Sequence, residues 1–329
     1  MFTFKKKKRT VSIELTDFYI RALSFTEGDL LESLLFEHPL PADLVEEEVV
    51  QDEMAFYELI KTLVKEWSIA KHELRFFVPD HAILMRTIEH PGKLSTEAIK
   101  EFVEMELGST IHLPFEQPLI DVYDPNPNDQ AATLFAAPSE DVVQLMRLYE
   151  DVQLEPAILD IRALCNIRFL QEIRLFGNDK TYLIAEWSVN AVSVCIYSGG
   201  NVDFLRYQPL ETQNRDWRYL TTESGEHTYV YEGDIRDYHM PLTDQTMELE
   251  RILNFYQFSL HKGEKAVDEL IMMGDNPEMD FIIEQITSML DLPIQVVNDE
   301  MMRQHFPAFK AEHAALIGLS LRGDSLHGA

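Results

Sequence analysis

Strand-like and helix-like segments alternate along this chain in two similar halves, which predicts an α/β protein of two lobes. A block at 91–155 reads helix, strand, strand, helix and has no counterpart in the second half, which predicts a small α+β subdomain inserted in the first lobe. At 329 residues the chain has material for two domains or one large divided one. The expected division is a first lobe at 1–90 and 156–180, the insert at 91–155, and a second lobe at 181–329 carrying a short β excursion at about 208–245.

Taken in order, the apolar run at 11–23 reads as a buried strand, Gly28-Asp29 as a turn, and 30–40 as an antiparallel return. Met54, Leu59, Ile60, Leu63, Val64 and Trp67 recur at helical spacing. Two short strands follow at 74–78 and 82–88, closed by Pro79-Asp80 and Pro91-Gly92. Ser95 caps a helix that Gly108 can end, because a serine hydroxyl satisfies the free amides of a first turn. Strands at 119–123 and 131–137 flank a loop rich in proline and asparagine, and Ser139-Glu140-Asp141 opens a helix to about 150. A strand at 154–159 and a helix at 161–175 complete the first half. The second half reads as a three-strand meander (181–185, 192–197, 202–207), a polar aromatic excursion, a helix at 246–260, a strand at 269–273, a helix at 280–290, a strand at 294–297 and a last helix at 313–321.

Charge and composition exclude several functions. With 57 acidic against 28 basic residues the net charge is −29, a field that repels phosphate backbones, so no nucleic-acid partner is expected. No apolar run approaches the roughly 20 residues of a membrane-spanning helix. The basic run Lys5–Arg9 is followed by a strand rather than by the apolar stretch of a secretory signal, so a cytoplasmic protein is expected. That run reads either as a solvated end or as a contact for anionic lipid headgroups or an acidic partner. Cys165 and Cys195 lie in apolar stretches and read as small buried hydrophobes. The histidines show no metal-ligand spacing, and no phosphate-loop, dinucleotide or serine-hydrolase motif is present.

Five segments in order across nearly the whole chain resemble the PilM family of type IV pilus assembly proteins, within the actin-like ATPases. They are 11–22, where that family has its first phosphate loop; 105–123, through Ile111-His112-Leu113-Pro114-Phe115 to an aspartate-bearing strand; 154–168; 248–256; and 315–322. The resemblance implies two RNase H-like, actin-type lobes with a small inserted subdomain. It also implies a cytoplasmic protein at the inner face of the cell membrane, working with other pilus assembly proteins. Its partner would be the cytoplasmic tail of a PilN-like membrane protein, lying in a groove between the insert and the first lobe. In family terms Phe18, Tyr19 and Arg21 face one side of that groove and Ile111, Leu113, Pro114 and Phe115 the other. The second strip has a bland reading too, since Leu113 and Phe115 can fill the core of the insert.

An actin-like ATPase approaches nucleotide phosphates with two Asp-x-Gly-type turns, the aspartate orienting Mg²⁺ or water and the glycine letting the backbone come close. Here the turns read Glu14-Leu15-Thr16 and Glu186-Trp187-Ser188, so both carboxylates are longer and both glycines have gained side chains. Asp17 adds a carboxylate worth about 1 kcal/mol or more of repulsion per phosphate contact. The adenosine-side turn, Gly274-Asp275-Asn276, has lost its second glycine. Glu14 and Glu186 therefore read either as strand-end carboxylates reaching solvent in a cleft or as a surviving metal–nucleotide site. The degenerate equivalents of the cofactor site are Glu14, Thr16, Glu186, Ser188 and Gly274. The expectation is a scaffold without a cofactor; an active ATPase binding Mg-ATP is the alternative, and a phosphotransferase of the same superfold lacks its catalytic aspartate and glycine-rich turns.

Overall fold

The computed structural model describes residues 9–323 except 27, 127, 178 and 222–226, so Lys5–Lys8 of the basic run lie outside the described residues. Two five-stranded sheets repeat one plan. In the first, Arg9–Leu15, Tyr19–Thr26 and Asp29–Pro39 form an antiparallel meander, and Glu73–Phe77 then Glu155–Asp160 add in parallel on the other side of Arg9–Leu15. In the second, Thr181–Trp187, Ala191–Ser198 and Asn201–Pro209 form the meander, and Glu269–Gly274 then Ile294–Val296 add in parallel. The opening strands of both sheets are buried throughout or nearly so, as strands covered on both faces must be.

Parallel neighbours need a crossover, and a helix provides each one. Helix Glu53–Glu66 is fixed at its start by Asp52, whose carboxylate accepts from the amide of Ala55 at 3.0 Å, and it buries Phe56, Ile60, Leu63 and Val64. In the second half Ile235–Asn254 and Met279–Met289 do the same work. The matching helix in the first half is Ser139–Asp151, whose Val142, Leu145, Leu148 and Tyr149 belong to the core under the first sheet.

That packing departs from the grouping expected at 91–155. A separate three-stranded sheet joins Leu84–Glu89, Ala131–Pro138 and Pro118–Tyr123, backed by helix Thr96–Glu106 around Ile88, Ile99, Val103 and Leu134. Its elements therefore run over 84–138 rather than 91–155: Leu84–Glu89 pairs with Ala131–Pro138, and the helix after it serves the first lobe.

Two further differences have local causes. Helix Ile235–Asn254 begins eleven positions before the expected 246, with Pro241 inside it and Asp234 capping its first turn. The β excursion is correspondingly confined to a ribbon of Trp217–Thr221 with His227–Tyr231. A short helix at Asp299–His305, capped by Asn298 on the amide of Met301 at 2.9 Å, has no counterpart in the sequence reading. The last helix, Ala314–Ser320, packs back on the first lobe: a Cβ at Gly318 would stand 1.9 Å from the carbonyl oxygen of Cys165. Only glycine allows that approach to helix Arg162–Glu172. A core of Leu23, Phe169, Tyr182, Ile271 and Leu316 runs between the sheets.

Candidate functional site, a cleft closed by its own charges

The ends of the two opening strands meet in a cleft between the sheets, and all five expected cofactor-site residues, Glu14, Thr16, Glu186, Ser188 and Gly274, line it. At the first turn the Thr16 hydroxyl accepts from the amides of Phe18 (3.2 Å) and Tyr19 (3.1 Å), and the Thr16 amide donates to the carbonyl of Tyr19 at 3.0 Å. Amides that a phosphate loop aims at its ligand are thus bonded within the turn. The Asp17 carboxylate accepts from the amides of Glu47 (3.0 Å) and Glu48 (2.8 Å) and from Asn190 Nδ2 (2.7 Å), joining the lobes.

The second and third turns are tied to each other. The carbonyl of Trp187 accepts from the amides of Asp275 and Asn276, both at 3.0 Å. Asn276 Nδ2 donates to the carbonyl of Ser188 at 2.6 Å, and the Ser188 amide donates to the carbonyl of Ala191 at 2.9 Å. Gly274 has φ of +115°, and a Cβ there would lie 2.1 Å from the carbonyl oxygen of Trp187. Its glycine serves the contact between two strands.

Two buried arginines occupy what remains. Arg162, at the start of helix Arg162–Glu172, donates through Nη1 to Glu14 and through Nη2 to Glu48 at 2.8 Å, with Nε 3.3 Å from Asp80. Arg21 donates through Nε to Glu37, sets Nη1 3.3 Å from Asp275 and Nη2 3.5 Å from Glu312, and lies 3.8 Å over the Tyr19 ring. Burial opposes both charges, but Tyr19 with Asp275, Glu37 and Glu312 outweighs it at Arg21, and Glu48, Glu14 and Asp80 outweigh it at Arg162, so both guanidinium groups stay protonated. The carboxylates outnumber them, and burial raises the acids: Glu48 and Glu186 to about 8 and Glu312 to about 7, against the pull of Arg162 on the first two and Arg21 on the third. Glu14, Asp17 and Asp80 are raised for the same reason. Arg162, Glu48 and Asp80 were not singled out in the sequence. One signal was available: an arginine in the first turn of an apolar helix opposes the helix dipole and requires anions beside it.

These residues do not fit a magnesium triphosphate. The cleft leaves ≈ 40 Å³ free, room for a few waters, whereas ligand sites run to roughly 300–1,000 Å³. Glu14 Oε2, buried in the cleft, receives no hydrogen bond and lies 3.8 Å from Arg21 Nη1; it is an acceptor, which repels phosphate oxygens. No group of three or more His, Cys, Asp or Glu among the described residues is arranged to hold a metal ion.

The residues expected on the two sides of a partner groove are not brought together. Phe18 packs edge-on against Tyr229 at 5.3 Å in the core of the second lobe, and the Tyr19 hydroxyl donates to Asp275 at 2.6 Å; with Arg21 both are buried between the lobes. The other strip divides. Ile111 and Leu113 pack in the core of the small sheet, Pro114 is exposed, and Phe115 lines a separate opening of ≈ 540 Å³ with 81–85, Pro138 and Leu205. That opening lies where the small sheet meets both lobes.

The topology defines an actin-like fold: two sheet-based lobes of one plan facing each other across the cleft. A Bacteroides thetaiotaomicron protein with an actin-like ATPase fold superposes with a TM-score of 0.54 at 12% identity, over 97% of this chain and 98% of that one. The ethanolamine utilization protein EutJ of Carboxydothermus hydrogenoformans gives 0.52 at 10% identity, over 96% and 90%. The family of type IV pilus assembly protein PilM matches residues 13–323, and the chain belongs to it. The structure of a PilM-PilN type IV pilus biogenesis complex superposes with a TM-score of 0.72 at 19% identity, over 97% of this chain and 99% of that one. No curated protein matches the chain. Among the described residues no helix is long and apolar enough to cross a membrane.

Proposed function

We propose that this chain is a non-catalytic adaptor of a type IV pilus or related secretion machine, receiving the cytoplasmic tail of a PilN-like membrane protein at the opening beside Phe115. Membership of the PilM family and the likeness to a chain of a PilM-PilN complex support the partner class. The observation that carries the adaptor reading is the cleft between the altered turns, where Glu14, Glu48 and Asp80 bind Arg162 and little free volume remains. The opening is apolar along Ile83, Leu84, Met85, Phe115 and Leu205, suited to the side chains of an extended peptide. The chain works in the cytoplasm at the inner face of the cell membrane, with Lys5–Arg9 touching anionic headgroups and other pilus assembly proteins completing the assembly.

Fluorescence anisotropy with a labelled tail peptide of the PilN-like protein tests the docking site. Saturable binding that Phe115→Ala weakens by at least about fivefold is expected, because a buried aromatic anchor costs about 1 kcal/mol or more when truncated. Equal affinity of the variant removes Phe115 from the site. Liposome flotation with and without residues 1–9 tests the membrane contact; undiminished binding of the shortened chain refutes it.

A further inference from the structure

One short turn belongs to both the cleft and the opening. The 3₁₀ turn Asp80–Ala82 connects strand Glu73–Phe77 of the first sheet to strand Leu84–Glu89 of the small sheet. Its first residue faces the cleft. The Asp80 carboxylate accepts from Ser193 of the second lobe at 3.0 Å and lies 3.3 Å from Arg162 Nε. The Asp80 amide donates to Glu48 Oε2 at 2.9 Å, and Glu48 accepts in turn from Arg162. Its next residues face the other way: His81, Ala82 and Ile83 form a wall of the opening that holds Phe115. Internal bonds make the turn stiff, since the amide of Ala82 donates to the carbonyl of Pro79 (3.1 Å) and that of Ile83 to the carbonyl of Asp80 (3.3 Å). The His81 ring meets Tyr207 of the second lobe edge-on at 6.4 Å, and Leu205 of that strand lines the opening too.

We propose that the Asp80–Ala82 turn couples the cleft to the partner site, making Arg162 and Asp80 positioning residues for a peptide that neither touches. This inference rests on reading the opening as the docking site. Three contacts locate Asp80, from Arg162, Glu48 and Ser193, and they come from two elements of the first lobe and one of the second. A change in how the lobes close displaces Asp80, and a turn three residues long transmits the displacement to His81 and Ile83. By linkage the effect runs both ways: a bound peptide that fixes the wall also favours the closed cleft. The setting of the cleft thus comes from an internal ion-pair cluster around Arg162.

Asp80→Asn keeps the shape and an acceptor for Ser193 but removes the ion pair, and Arg162→Lys keeps the charge but loses the fork that reaches three carboxylates at once. Both are to be compared with the wild-type full chain in peptide anisotropy and in amide hydrogen exchange over 79–85, with circular dichroism confirming the fold. The expected result is affinity lower by about tenfold together with faster exchange at 79–85. In the wild type, added peptide slows exchange at Glu47 and Glu48, whose amides bond Asp17 in the cleft. Phe115→Ala weakens binding without changing exchange at 79–85 in the free chain. Wild-type peptide affinity in both variants, or wild-type exchange at 79–85, overturns the coupling. Absence of peptide binding by the wild-type chain instead overturns the docking reading on which it rests.

Discussion

Arg162 shows how much can depend on one side chain. Replacing it by Met leaves Glu14, Glu48 and Asp80 buried without their shared cation, and breaking such a pair costs about 3–5 kcal/mol. Urea unfolding should show a loss of about 3 kcal/mol; a loss within experimental scatter would mean that the acids are protonated and indifferent to the arginine. The same acids set a pH dependence with an unusual sign. Glu48 and Glu186 titrate near 8 in the fold and Glu312 near 7, above the 4.5 of an unperturbed glutamate, so the folded state binds more protons than the unfolded one. Stability is therefore highest in mild acid and falls as pH rises from about 4.5 through 8. The melting temperature should drop between pH 6 and pH 9, and Glu186→Gln should flatten that drop; an unchanged slope in the variant removes Glu186 as a source. At this scale the sequence displayed the turns at 14–16, 186–188 and 274–276 but not the ion pairs beside them. The three altered turns lie in short stretches, whereas the acids that hold Arg162 come from positions 14, 48 and 80, and nothing local marks them as neighbours.

Among the elements, strand ends and helix ends carry most of the specification. Gly274 closes the strand Glu269–Gly274 against Trp187 with a backbone conformation that L side chains rarely adopt. Gly274→Ala adds a Cβ 2.1 Å from a carbonyl oxygen and strains φ, and should destabilise by about 3 kcal/mol in chemical denaturation. A neutral outcome would show that the two turns can separate freely. The meanders and the capped helices were legible because alternation, turn residues and caps are local signals. Helix Ile235–Asn254 was half hidden, since Pro241 and the polar, aromatic residues before it imitate a loop, while the burial of Tyr238 and Leu242 that stabilises it comes from the second sheet. The helices and strands between 96 and 151 were legible one by one, but the pairing of Leu84–Glu89 with Ala131–Pro138 and the packing of helix Ser139–Asp151 under the first sheet depend on long-range contacts.

For the whole molecule, the bonds across the cleft amount to a mutual clamp. Asp17 with Asn190, Tyr19 and Arg21 with Asp275, Asn166 with Glu186 at 2.5 Å, and Tyr229 with the carbonyl of Phe18 at 2.9 Å all join one lobe to the other. In an actin-like ATPase a nucleotide bridges the lobes; in this chain the lobes are bridged by groups they already own, and the partner site we propose, beside Phe115, lies outside the cleft. Titration of the purified full chain with Mg-ATP by isothermal calorimetry tests that division most directly. The expected result is no saturable binding up to millimolar nucleotide, in the wild type as in Glu14→Ala. Micromolar binding in the wild type that disappears in Glu14→Ala would contradict it, restoring the cleft as a nucleotide site.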